Sequence, residues 1–295
     1  KRILIKFKPW GVILFSRNIK SMLQTKKLTN EIKKIFKDKN YPILIDQEGG
    51  RVNRLKSFFN TDLLTGEYFG QLYERDKKKF NNYFKMFINK TSYLLKLIGV
   101  NINNVPVLDI RVKGSSNIIG DRSFSSTPKV VSKIGDICIN NFHKNNIGTV
   151  IKHIPGHGLA RVDSHKLTPI VKAKLKQLIK SDFLVFKNKK SILAMTAHII
   201  YEDIDPSEVA THSQKVISLI RNNIKFTDIL MSDDISMKSL KYSIKQNTIK
   251  AFSAGCNLVL HCNGNYKELL IVAENSPILS KFLIKKTYQL YKVIS

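Results

Sequence analysis

Acidic residues are scarce in this chain: 22 Asp and Glu stand against 50 Lys and Arg, a formal net charge of +28 over 295 residues. Such an imbalance raises the question of a nucleic-acid or anionic-surface partner. No single arm carries the excess, however. The lysines are spread along the chain and alternate with Ile and Asn, as in Lys33-Lys34-Ile35 and Lys144-Asn145-Asn146-Ile147. A dispersed, solvated surface is therefore expected, with no nucleic-acid partner. Cysteine is equally sparse. Cys138, Cys256 and Cys262 sit in apolar or strand-like surroundings without metal-ligand spacing. That excludes a disulfide framework and fits reduced thiols in the cytoplasm. A run of about 18 apolar residues is also missing, so no transmembrane helix and no membrane partner are expected. No Pro-, Gly- or Ser-rich linker divides the chain, which reads as one domain over residues 1–295. It opens on Lys1 rather than Met, as a sequence starting within a longer protein would.

What is present is a repeated unit: a short apolar run, a polar or ionisable residue at its end, then a helical stretch. Seven such runs occur. They are Val12–Phe15, Pro42–Ile45, Val105–Leu108, Thr149–Ile151, Ile192–Ala197, Ile229–Met231 and Leu258–Leu260. Near-continuous apolar runs suit strands buried on both faces, as in parallel sheets. Between them, Phe80, Phe84, Phe87 and Ile88 share a helical face that ends near Gly99, and Leu175, Leu178, Ile179 and Phe183 repeat the pattern. Gly148 and Gly255 each close a helical pattern before a strand. Strand alternating with helix implies right-handed βαβ units. Polar groups at all seven strand ends favour an α/β fold of the (β/α)8 TIM-barrel type over a doubly wound sheet, with an eighth, N-terminal strand missing or degenerate.

Three segments carry chemistry. Lys152-His153-Ile154-Pro155-Gly156-His157-Gly158 follows a strand and leads to Asp163-Ser164-His165. A carboxylate two residues before an imidazole can fix its tautomer and raise its basicity, which a general acid/base requires. Met231-Ser232-Asp233-Asp234 ends another strand. Asp234 or Ser236 is available to cap a following helix, leaving Asp233 to face the barrel mouth. In the third segment, Asp46-Gln47-Glu48-Gly49-Gly50-Arg51-Val52-Asn53-Arg54, paired glycines permit close approach of backbone to ligand. There Asp46 can accept sugar hydroxyls and Arg54 can donate to an oxygen.

Asp46 to Val52, Gly120-Asp121-Arg122-Ser123-Phe124, Lys152 to Gly158 with Asp163-Ser164-His165, Met195-Thr196-Ala197-His198, and Ser232-Asp233-Asp234-Ile235-Ser236-Met237 together resemble the motif series of glycoside hydrolase family 3. The likeness runs in order from about Gly11 to Asn263 and is nearest to the family's single-domain bacterial NagZ-type β-N-acetylglucosaminidases. The resemblance implies a retaining two-step displacement with Asp233 as nucleophile, His165 as acid/base and Asp163 as its dyad carboxylate. It implies sugar contacts from Asp46, Arg54, Arg122, Lys152 and His153, and neither cofactor nor metal. The implied substrate is a small molecule with a non-reducing β-linked N-acetylglucosamine, notably GlcNAc-1,6-anhydro-N-acetylmuramic acid with or without its peptide. The implied setting is cytoplasmic recycling of peptidoglycan fragments.

Two other readings start from the same residues. His153 and His157, with His198 and His261 at strand ends, could suggest a metal-dependent hydrolase, but Pro155-Gly156 breaks the helix that would align the first pair. A barrel that binds sugar or nucleic acid without turnover would be expected to lack Asp233, Asp163 or His165, and all three are present.

Overall fold

The computed structural model describes residues 1–295 apart from Lys113, Ser115, Ser116 and residues 161–166. Among the described residues nine strands follow one another: β1 (Val12–Leu14), β2 (Ile43–Ile45), β3 (Ile102–Asn103), β4 (Gly148–Ile154), β5 (Ile170–Val171), β6 (Leu193–Thr196), β7 (Ile200–Tyr201), β8 (Ile229–Asp234) and β9 (Leu258–Leu260). All except β5 and β7 form one seven-stranded parallel sheet, paired in chain order and curled into a half-barrel; β5 and β7 pair with each other. Among the described residues its edge strands are β1 and β9. Beyond them, the Arg17 guanidinium donates to the Cys262 carbonyl, so a side chain ties the two edges.

The helices fill the connections: α1 (Arg2–Phe7), α2 (Met22–Phe36), α3 (Gly66–Arg75), α4 (Lys77–Leu97), α5 (Pro128–Lys144), α6 (Leu175–Lys180), α7 (Gln214–Leu219), α8 (Ile244–Ala254), α9 (Tyr266–Glu274) and α10 (Lys281–Ile294). Their starts follow from short polar side chains that accept otherwise unsatisfied amides. Ser21, Thr65, Asp76, Ser213, Asn265 and Ser280 all do this, and Ser243 forms a capping box with Gln246. Helix α4 buries Phe80, Phe84, Phe87 and Ile88 against Phe69 of α3, with ring centroids of Phe69 and Phe84 4.7 Å apart. Burying each such side chain contributes about 1.5–3 kcal/mol. Gly99 follows the end of α4 with φ +79°, as the 80–99 pattern predicts.

Side-chain parity sorts the core into two sets. Leu44, Val150, Leu193, Met195, Ile229, Met231 and Leu260 point inward and cluster with Leu283, Leu290 and Ile294 of α10. Their neighbours Ile43, Ile45, Ile151, Ala194 and Leu230 point outward into the helix layer. Helix α10 touches the N-terminal side of several strands. Thr287 accepts from Trp10 at 2.8 Å, Tyr291 donates to Asp38, and Lys286 pairs with Asp228. It thereby floors the barrel, leaving the C-terminal strand ends as the mouth.

Two local expectations need correction. The third strand is Ile102–Asn103, not Val105–Leu108. Pro106 has no amide proton to give a ladder, and within that run Val107 makes an isolated bridge, to Lys152. Gly148 does not close a helix but begins β4. Asn146 supplies the positive φ after α5, whereas an added Cβ at Gly148 would stand 3.1 Å from Leu290 and 3.2 Å from Ile102. Glycine is there because α10 lies close.

Candidate active site

Continuing the inward parity by one pleat places Phe15, Asp46, Asn104 and Lys152 at the mouth, two residues beyond Ile13, Leu44, Ile102 and Val150. The contacts agree. Lys152 Nζ lies 3.0 Å from Asp46 Oδ1 and 2.6 Å from Glu48 Oε1. Asn104 donates to Asp46 Oδ1 at 3.1 Å. Arg54 Nη2 stands 3.5 Å from Asp46 Oδ2, with its guanidinium 5.1 Å from the centre of the Phe15 ring. Arg122, on the short helical turn Gly120–Arg122, grips Glu48 through Nε and Nη2, each at 2.8 Å. Such a two-pronged charged contact fixes both partners. The half-exposed Arg51 helps to set that turn, pairing with Asp121 and donating to the carbonyls of Asn117, Ile118 and Ile119.

Where the ladder is irregular, it re-aims side chains. The β4–β6 register slips between Lys152 and Ile154, at His153, and the β8–β9 register slips between Met231 and Asp234, around Asp233. His153 Nδ1 lies 2.6 Å from Asp109 Oδ2, and the His157 amide donates to Asp109 Oδ1 at 2.6 Å. Asp109, fully buried just beyond β3, therefore fixes the His153 ring and the root of the following loop.

Electrostatics keep the carboxylates charged. Burial opposes the charge on Asp46, but Lys152 and Arg54 outweigh it and hold the carboxyl below its ordinary range. Glu48 is buried as well, yet Arg122 and Lys152 depress it further. Burial likewise opposes charge on Asp109, which His153 and His157 more than offset. Asp233 is also held low: against burial stand His153, the Asp234 amide at 2.7 Å from its Oδ1, and Lys152. The mouth thus holds ionised carboxylates among fixed cations, with Asp233 ionised in their midst.

Asp46, Arg54, Arg122, Lys152, His153 and Asp233 lie together at the mouth. Asp163 and His165 lie outside the described residues. Asp234 caps no helix, a correction to the expectation. Its Oδ1 accepts from the Ser236 amide and the Cys262 amide, each at 3.0 Å, so it closes a turn and ties β8 to the end of β9; α8 starts only at Ile244. Three further residues were passed over. Glu48 lies inside a quoted motif, Asp109 ends an apolar run, and Cys262 sits at the mouth near Asp46 and Asp233. The first two signals were readable as strand-end acids; a lone cysteine offers none. Among the described residues, no three or more His, Cys, Asp or Glu side chains converge as metal ligands. His198 and His261 point to other partners: His198 to Thr211 and the Asp234 carbonyl, and His261 to Glu268.

The family model described as "Glycosyl hydrolase family 3 N terminal domain" matches residues 2–289. A β-hexosaminidase of Nitrosomonas eutropha is 34% identical over 260 residues, covering 86% of this chain and 73% of its own. One from Thioalkalivibrio sulfidiphilus is 32% identical over 268 residues, covering 89% and 76%. Among solved structures, NagZ from Neisseria gonorrhoeae in complex with N-trifluoroacetyl-D-glucosamine superposes with a TM-score of 0.85 at 27% identity, covering 95% of this chain and 82% of that one. A family 3 β-N-acetylglucosaminidase from Paenibacillus also reaches 0.85, at 24% identity, over 99% of this chain and 57% of its own; that likeness concerns the fold. With the motifs at one barrel mouth and the match running nearly end to end, the chain belongs to glycosyl hydrolase family 3.

Proposed function

We propose that this chain is a retaining exo-β-N-acetylglucosaminidase that removes a non-reducing terminal β-linked GlcNAc through a covalent glycosyl-enzyme on Asp233. The observation that carries the reading is an Asp233 held ionised at a register slip in β8, beside the Lys152–Asp46–Glu48–Arg122 cluster. An oxocarbenium-like transition state gains from an anion beneath the anomeric carbon, and that anion then forms the bond. Asp46, Arg54, Arg122, Lys152 and His153 hold the sugar. Arg54 has donors to spare: its Nε is buried without a hydrogen-bond partner among the described residues. His165, paired with Asp163, protonates the leaving oxygen and then deprotonates water. An imidazole does this near neutral pH without the raised pKa a carboxylic acid needs.

The names of the relatives and the N-trifluoroacetyl-D-glucosamine in the gonococcal structure support GlcNAc as the sugar. The motif series supports GlcNAc-1,6-anhydro-N-acetylmuramic acid, with or without peptide, as the natural substrate, met during cytoplasmic recycling of peptidoglycan. The described site residues Asp46, Arg54, Arg122, Lys152, His153 and Asp233 share one barrel, which supports a single catalytic domain over residues 1–295. The test is hydrolysis of 4-nitrophenyl N-acetyl-β-D-glucosaminide by the wild type beside a folded Asp233→Ala. Release by the wild type alone is expected, with a loss of at least about 10³-fold in the variant. Near-normal turnover by the variant would remove Asp233 as nucleophile.

A further inference from the structure

The Met195-Thr196-Ala197-His198 motif contributes no group to the chemistry above, yet its histidine is buried next to the proposed nucleophile. His198 is 1% exposed, at the end of β6. Its Nε2 lies 3.0 Å from the Asp234 carbonyl oxygen and its Nδ1 lies 2.7 Å from Thr211 Oγ1, which in turn lies 2.7 Å from Thr196 Oγ1. These contacts determine the tautomer. A carbonyl only accepts, so Nε2 carries the proton. Burial disfavours the imidazolium and leaves the ring neutral, so Nδ1 must accept the Thr211 hydroxyl proton. Thr211 then accepts from Thr196, and the relay has one direction: Thr196 to Thr211 to His198 to the Asp234 carbonyl.

Asp234 is where this relay meets Asp233. Its amide donates to Asp233 Oδ1 at 2.7 Å, its carboxylate holds the Ser236 and Cys262 amides, and its carbonyl is held by His198. Three separate anchors thus fix the residue whose amide orients the Asp233 carboxylate. The register slip makes such anchoring necessary, because the β8–β9 ladder does not hold the residues between Met231 and Asp234.

We infer that His198, oriented by Thr211 and Thr196, is a positioning residue that sets the direction of the Asp233 carboxylate through the Asp234 backbone, as a neutral Nε2–H donor and not as an acid or base. The inference rests on Asp233 being the nucleophile. It separates His198 from His165: misaiming the nucleophile slows formation of the glycosyl-enzyme for every leaving group alike, whereas loss of the acid hurts poor leaving groups most.

The test is kcat/KM for His198→Ala, His198→Gln and His198→Asn on aryl N-acetyl-β-D-glucosaminides of graded leaving-group pKa, with Asp233→Ala alongside. A Gln amide reaches as far as imidazole Nε2 and can donate to Asp234; an Asn amide reaches only to the Nδ1 position. His198→Ala should lose about 100-fold, the scale expected of a misplaced reacting group, by the same factor across the series and mostly in kcat. Gln should recover most of that loss and Asn should not. Long-range proton–nitrogen NMR at neutral pH, with the Gln variant assigning the His198 signal, should show a neutral Nε2–H ring, and this reading does not need a folded Ala variant. The inference is overturned by His198→Ala within threefold of wild type while Asp233→Ala is dead, by equal Gln and Asn variants, by losses that grow with leaving-group pKa, or by an imidazolium or an Nδ1–H ring at neutral pH. Turnover by Asp233→Ala would instead overturn the nucleophile reading and take this inference with it.

Discussion

Glu48 accepts twice from Arg122 and pairs with Lys152, which in turn pairs with Asp46, so one buried carboxylate orders two cations and, through them, a second carboxylate. Removing one member of a buried charged pair costs more than the pair itself contributes, because the partner is left buried and uncompensated. Glu48→Gln should therefore lose about 3 kcal/mol of stability in denaturant unfolding. It should also raise KM for the aryl glycoside by about tenfold, since Arg122 and Lys152, the proposed sugar contacts, are no longer held in place. An unchanged midpoint would mean that Asp46 alone satisfies both cations. Most residues of this cluster were legible in the sequence because strand-end polar groups have few structural roles. The Glu48–Arg122 pairing was not, since the partners are 74 positions apart and only the meeting of β2 with the 120–122 turn joins them. The role of Asp234 was misread for a related reason: the amide it accepts comes from Cys262, beyond the next strand.

The start of the loop after β4, at Gly156 and Gly158, is seated by elements that follow it in sequence. Asp182, just past α6, is 2% exposed and packs its Oδ1 against Gly156 and Gly158, while Oδ2 accepts from Ser181 Oγ at 2.8 Å. The Tyr201 hydroxyl from β7 donates to the Gly156 carbonyl. Burial, with the nearby Asp109 charge, raises the Asp182 carboxyl to about 6. The sign follows from linkage: a raised pKa means that the fold favours the protonated form. That stabilisation is fully present below the ordinary value of 3.8 and is lost as pH rises through about 6. Asp182→Asn, which keeps the neutral shape, should thus match wild type near pH 4 and be more stable at pH 8 by on the order of 3 kcal/mol. Thermal unfolding at the two pH values checks this; a pH-independent difference would rule it out. At this scale the sequence was a good guide to β1, β2, β4, β6, β8 and β9, whose apolar runs are long enough to show. It misplaced β3, where two residues suffice for the ladder and the louder Val105–Leu108 run is broken by Pro106. It also carried no sign that β5 and β7 pair apart from the main sheet.

For the whole molecule, the net charge of +28 is the dominant long-range term. Within the site the cations are matched by Asp46, Glu48 and Asp109, so the excess lies on the outer surface, where exposed lysines repel one another through water. Raising NaCl from about 0.05 M to about 0.5 M shortens the screening length several-fold. The melting temperature should rise, while kcat/KM for an uncharged aryl glycoside stays within about twofold. A steep fall in turnover with salt would instead show that the surface charge takes part in catalysis.

The barrel floor sets an order of events on the ribosome. Leu283, Leu290 and Ile294 fill the inner end of the sheet, and α10 follows β1 to β9 in sequence. A nascent chain that has released β9 but not yet Lys281 has β1 to β9 and no floor, with Leu44, Val150, Leu193 and Ile229 open to water from below. The interior therefore closes only after all the site residues have been translated, and until then the growing chain displays an apolar ring of the kind that chaperones recognise.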